Sequence, residues 1–198
     1  MRDKRSRAIL VANGLSLSRV PLAGALWIAP ENPWWVLPVI VVAGITDVLD
    51  GWVVRRAKRK GWDEGDAGAF AAHVARGEVI DGAADKVFAL SAVLALAHVA
   101  HPPWWVLGAL VSRELLLLPA VLAYRLLPAE RREKVDFTAG PLGKAATFFQ
   151  TAALVLGFVH HFAFEPTAFV AGALGALAAV AYVARALRGP GEADAEEP

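Results

Sequence analysis

Ile45–Arg56 reads ITDVLDGWVVRR and Gly77–Lys86 reads GEVIDGAADK. These two stretches hold four aspartates in two pairs, Asp47 with Asp50 and Asp81 with Asp85. Spacings of three and four residues put each pair on one face of a helix. Gly77, four residues before Asp81, joins that face and leaves a gap beside the acids. Both pairs lie in or at the ends of apolar runs, where a carboxylate is costly and signals a functional site. Four converging carboxylates repel one another unless cations neutralise them. An all-oxygen donor set suits Mg²⁺, Mn²⁺ or Ca²⁺. The pattern predicts a divalent-metal site at a membrane surface.

The rest of the chain supports a membrane setting. Of 198 residues, 57% are hydrophobic, more than a soluble domain of this length carries. The net charge of +1 implies no general affinity for polyanions. Without cysteine there are neither disulfides nor thiolate metal sites. The basic head MRDKRSR is not followed at once by a long apolar run with a small-residue cleavage site, so a retained N-terminus is expected.

Hydropathy predicts an all-α polytopic membrane protein of six transmembrane helices. Residues 1–14 read as an interfacial segment, basic and then briefly apolar. The spans fall at about 15–29, 34–54, 79–99, 104–127, 142–162 and 167–187. The first is short for a bilayer crossing. Together they form one domain, 15–188, with a polar interruption at 56–76, and the acidic tail 189–198 is expected to be disordered.

Charge alternates along this map. Lys and Arg cluster at 2–7, 55–60, 125–144 and 185–188, whereas the turns near 30–34, 98–103 and 160–166 have none. The positive-inside rule then places both termini and both acid pairs on the cytoplasmic side. Wide polar faces would be needed for a soluble bundle, and spans four to six lack them. Ala and Gly are abundant in the spans, which either permits close packing in lipid or reflects composition alone. His98, His101, His160 and His161 fall in the outer turns and read as headgroup-level polar residues.

Asp47-x-x-Asp50-Gly51-x-x-Val54-Arg55, followed by Gly77-x-x-x-Asp81-x-x-x-Asp85, resembles the signature of the CDP-alcohol phosphatidyltransferases, D-x-x-D-G-x-x-A-R … G-x-x-x-D-x-x-x-D. Asn13-Gly-Leu-Ser-Leu-Ser-Arg19 is similar to that family's N-x-L-T-x-x-R. Within the family, Ile80–Lys86 (IDGAADK) most resembles the LDPVADK of phosphatidylglycerophosphate synthases. Arg113-Glu114 resembles their R-E pair, and Gly143-Lys144-Ala145-Ala146-Thr147 … Gln150 their GKxKT…Q segment. Two departures stand out. Val54 replaces the signature alanine, and residues 56–76 make a longer spacer between the halves than the family has. Loop-closure entropy grows slowly with length, so such an insertion does not prevent the halves meeting.

The resemblance implies a bacterial-type inner (cytoplasmic) membrane enzyme, commonly a homodimer. It would transfer a phosphatidyl group from CDP-diacylglycerol to an alcohol and release CMP. Asp47, Asp50, Asp81 and Asp85 would hold one or two Mg²⁺ or Mn²⁺ ions, with Asp85 also the general base. Gly51, Arg55 and Gly77 would bind the nucleotide. Arg113 and Lys144 would take the phosphate of a polyol phosphate acceptor, expected to be glycerol 3-phosphate, with inositol phosphate as the alternative. Pairing of Arg113 with Glu114 or the aspartates, and interfacial snorkelling of Lys144, are the plainer readings of those cations. A divalent-cation transporter or a non-catalytic relative is the competing class. A transporter needs polar residues across the outer halves of the spans, and here those halves are apolar.

Overall fold

The computed structural model describes the backbone at residues 14–59, 67–117 and 141–188, and the side chains at 14–49, 82–117, 141–181 and 183–184. Among the described residues every regular element is helical. Residues 1–13 of the interfacial segment and the tail 189–198 lie outside them.

The chain divides into two compact units, Met1–Val99 and Ala100–Pro198. The first contains α1 (Arg19–Ala25), α2 (Pro33–Arg59) and α3 (Ala67–Ala100). The second contains α4 (Trp104–Leu110), a helical stretch at 112–117, α5 (Pro141–Phe158) and α6 (Phe164–Arg188).

In the first unit, the expected opening span is helical from 14 to 25. Ser18 keeps helical geometry (φ −61°, ψ −20°), and the Ser18 and Leu22 N–H groups donate to the Gly14 and Ser18 carbonyls at 3.0 and 3.2 Å. The seven residues of α1 end in turns at 26–28. Asn32 then starts α2, its side-chain oxygen accepting the Trp34 N–H at 3.0 Å with Pro33 in the first helical position. The Trp35 indole N–H donates to the Ala25 carbonyl at 2.8 Å, tying α2 to the last turn of α1. Ser91 of α3 holds α1 from the other side. It donates to the Ala23 carbonyl and accepts the Trp27 indole N–H, each at 2.9 Å.

The inserted residues 56–76 were expected as loop or as extensions of the helices. Helix α2 continues to Arg59 and α3 begins at Ala67, so 56–59 and 67–76 are extensions, and 60–66 lie outside the described residues. Backbone hydrogen bonding within a helix is the simplest way to satisfy polar groups there.

In the second unit, α6 packs against both α4 and α5. The expected fourth span is interrupted: Val111 leaves helical geometry (φ −105°, ψ 8°) and the helix resumes at 112. Such a break strands a carbonyl, and the Gln150 side-chain amide donates to that of Leu110 at 2.8 Å. Gly172 and Gly175 let α6 come close to this break. A Cβ at Gly172 would lie 2.9 Å from that of Ala109, and one at Gly175 3.1 Å from that of Arg113. Helix α5 ends through His160 in the left-handed region (φ 52°), with the His160 and His161 N–H groups donating to Gly157 and Leu156.

Interior and exterior differ in residue size. Alanine is the commonest buried apolar residue among those described, including Ala23, Ala43, Ala92, Ala95, Ala153 and Ala171. Many large apolar side chains face outward, among them Val48, Leu90, Phe148, Phe169 and Val180, while Leu26, Leu96 and Phe158 are buried. Helices that associate in lipid pack through small residues. Alanines of the described helices thus take part in the packing. Among the described residues two helical stretches are long and apolar enough to cross a membrane, Gly82–Ala100 and Phe164–Ala181. Only 28% of each is buried inside the protein, unlike a soluble core helix.

Candidate active site

The site begins with a cation. Arg19 opens α1 directly after Ser18, whose hydroxyl donates to the Leu15 carbonyl at 2.6 Å. The side chain of Arg19 is 1% exposed, and a buried guanidinium requires anionic partners. Among the described residues two of them stand on different helices. Its Nη2 lies 3.0 Å from Oδ1 of Asp47 on α2, and its Nη1 donates to Oδ1 of Asp85 on α3. Asp47 belongs to the first half of the acidic pattern and Asp85 to the second. Through Arg19 these two meet at one point.

The carboxylates differ from the arginine in exposure. Asp47 is 53% and Asp85 47% exposed, so the cation is sealed inside while the acids keep an outward aspect. Asp50 follows Asp47 by three residues on α2, and Asp81 precedes Asp85 by four on α3. Gly51 and Arg55 also lie on α2, and Gly77 on α3. The side-chain placement of Asp50, Arg55 and Asp81 lies outside the described residues. The donors that do meet are anionic oxygens. They fit Mg²⁺ or Mn²⁺ in hardness and charge, and the chain has no cysteine to favour a softer ion.

The second unit positions the other two predicted residues. Arg113 follows the break at Val111, and its Nη1 donates to the Thr147 hydroxyl of α5 at 3.1 Å. Thr147 in turn donates to the Gly143 carbonyl at 3.0 Å, which fixes its rotamer. Ser112 donates to the Gly172 carbonyl of α6 at 3.2 Å, anchoring the residue beside Arg113. Arg113 and Glu114 form no ion pair with each other among the described residues, and Oε2 of Glu114 is buried there without a hydrogen-bond partner. Lys144 is exposed one turn into α5.

Arg19 was missed as a site residue. It appeared only as the last residue of the Asn13–Arg19 similarity. The available signal was the one applied to Arg113: an arginine flanked by apolar residues, in LSLSRVPLAGALW, needs an anion.

The model of the CDP-alcohol phosphatidyltransferase family matches residues 9–62 and 67–184. The chain belongs to that family. The match covers the Arg19, Asp47 and Asp85 contacts together with Arg113 and Thr147, and its only interruption falls within the spacer between the acidic halves. The chain is 31% identical over 157 residues to a protein of Streptomyces coelicolor named cardiolipin synthase (CMP-forming). That alignment covers 74% of this chain and 64% of the Streptomyces protein. It is 30% identical over 132 residues to a probable cardiolipin synthase (CMP-forming) of Drosophila melanogaster, covering 65% of this chain and 37% of that protein. A rat cardiolipin synthase (CMP-forming) shares 32% identity over 126 residues, covering 61% of this chain and 37% of that protein. The chain thus spans less than two thirds of the length of these relatives. The family expectation stands, while the finer likeness to phosphatidylglycerophosphate synthases is only approximate, since these relatives are named cardiolipin synthases. No solved structure matches the chain.

Proposed function

We propose that the protein transfers a phosphatidyl group from CDP-diacylglycerol to an alcohol and releases CMP. The supporting observation is the meeting of Asp47 and Asp85, one from each half of the family signature, at a single buried arginine. The acceptor oxygen bonds to the phosphorus that carries diacylglycerol, and the anhydride bond to CMP breaks. The hydroxyl proton passes to Asp85 as general base. Asp47, Asp50 and Asp81 would hold one or two divalent cations, Mg²⁺ or Mn²⁺, with Asp85 alongside. A bound dication supplies charge neutralisation at the pyrophosphate. Gly51 and Gly77 offer the nucleotide close backbone approach, and Arg55 offers it a positive charge.

Arg113 and Lys144 serve the acceptor in this reading. Arg113 has a neutral hydroxyl as partner, so it keeps donor capacity for a phosphate. The acceptor is a glycerol hydroxyl carried on a phosphate. Glycerol 3-phosphate and the headgroup of phosphatidylglycerol share that chemistry, and the names of the matched relatives favour the lipid. Six spans in a bacterial-type inner membrane are part of this reading, and the charge pattern supports placing both termini and the acids on the cytoplasmic side. A homodimer is part of the proposal.

The test is CMP release by the full chain in nanodiscs with CDP-diacylglycerol and Mn²⁺. Glycerol 3-phosphate, phosphatidylglycerol and inositol phosphate are offered separately, and product with one alone names the acceptor. No CMP with any acceptor rejects the proposal. Mn²⁺ uptake into liposomes would then favour a transporter.

A further inference from the structure

Arg19 is the most deeply buried charge among the described residues, and its burial has a direction. The guanidinium approaches Asp47 and Asp85 from inside the helical unit, while both acids stay about half exposed on their other aspect. It grips one Oδ1 on each of two helices, using two different nitrogens. An arginine fork can join two planar carboxylates in this way, whereas a lysine ammonium is a point charge. Resting on the proposed function, we infer that Arg19 is a positioning residue: a built-in counter-cation that holds the two half-sites in register and tempers their attraction for a dication.

The consequence is that catalysis and metal affinity respond to Arg19 in opposite directions. Removing a fixed positive charge a few ångströms from the ligand oxygens strengthens their pull on a dication. Removing the fork also lets Asp47 and Asp85 drift apart, and misplacing a reacting group by about 1 Å costs on the order of 10²-fold in rate. A residue that merely stabilised the fold would weaken both properties together.

The experiment uses the full chain in detergent and reads two quantities: Mn²⁺ binding with no lipid present, and kcat for CMP release. Arg19→Gln should bind Mn²⁺ about 10-fold more tightly than the parent, with kcat lower on the order of 10²-fold. Arg19→Lys should return Mn²⁺ affinity close to the parent value but leave kcat about 10-fold low, since charge is restored and the fork is not. Unchanged or weaker Mn²⁺ binding by Arg19→Gln overturns the inference. If Arg19→Gln fails to fold, adding Asp47→Asn and Asp85→Asn should restore folding by removing the uncompensated charges. A triple variant that also fails counts against the inference. The Mn²⁺ titration needs no turnover. Absence of CMP would therefore sink the catalytic proposal without deciding the role of Arg19.

Discussion

Two arginines sit within apolar helical sequence, one in each compact unit, and their surroundings differ. Arg19 is sealed from solvent and bonded to two carboxylates. Arg113 is half-buried and bonded to one neutral hydroxyl. The first has its negative charge built in. The second has a positive charge held in place by a neutral partner, and the proposed acceptor role would draw on it. One rule, that an arginine in an apolar setting needs an anion, thus has two outcomes.

Variants can break or sharpen this contrast. The largest effect is expected at Asp85, which is both a partner of Arg19 and the proposed base. Asp85→Asn should lower CMP formation by about 10²- to 10⁴-fold at saturating substrate, measured in the nanodisc assay. Near-normal turnover would leave the Arg19 cluster purely structural. Next comes stability in EDTA. Arg19→Gln strands two carboxylates and should cost about 3 kcal/mol, low for a broken buried pair because both acids are half exposed. Denaturant unfolding of the detergent-solubilised chain checks this, and a loss no greater than for Arg113→Gln would erase the distinction.

A third variant tests how the Arg113 side is held. Gly172→Ala places a methyl 2.9 Å from the Ala109 Cβ and 3.1 Å from its backbone. Overpacking of that kind should cost about 2 kcal/mol and loosen the Ser112 contact. Thermal unfolding that matches the parent would show that α6 shifts without penalty. The smallest effect belongs to Arg113 itself. Arg113→Gln should raise KM for a phosphate-bearing acceptor about 10-fold, equivalent to one charge-assisted hydrogen bond, with little change in stability. A fall in kcat at unchanged KM would instead place Arg113 among the groups acting on the reaction.

The fold was legible where local rules govern it. Helix α2 starts at Asn32-Pro33, as a capping residue followed by proline requires, and α3 ends before His101-Pro102-Pro103. The interruption at Val111 was not legible, because VLGALVSRELLLL has no proline and reads as one mostly apolar span. What permits the break is the amide of Gln150, forty residues away, which takes the Leu110 carbonyl. Within the insertion α2 runs on to Arg59, as the good helix propensity of Arg and Lys allows.

By itself the sequence determined the apolar helices, the spacing that aligns Asp47 with Asp50 and Asp81 with Asp85, and the family signature. All of these follow from local periodicity or from residue identity. Only the tertiary structure decided that Arg19 neutralises Asp47 and Asp85, that Thr147 rather than Glu114 meets Arg113, and that alanine fills the interior. The physical reason is sequence separation. Arg19 and Asp85 stand 66 residues apart, and no helical period relates them. Their meeting depends on how three helices pack and on the cost of leaving any of those charges buried without a partner.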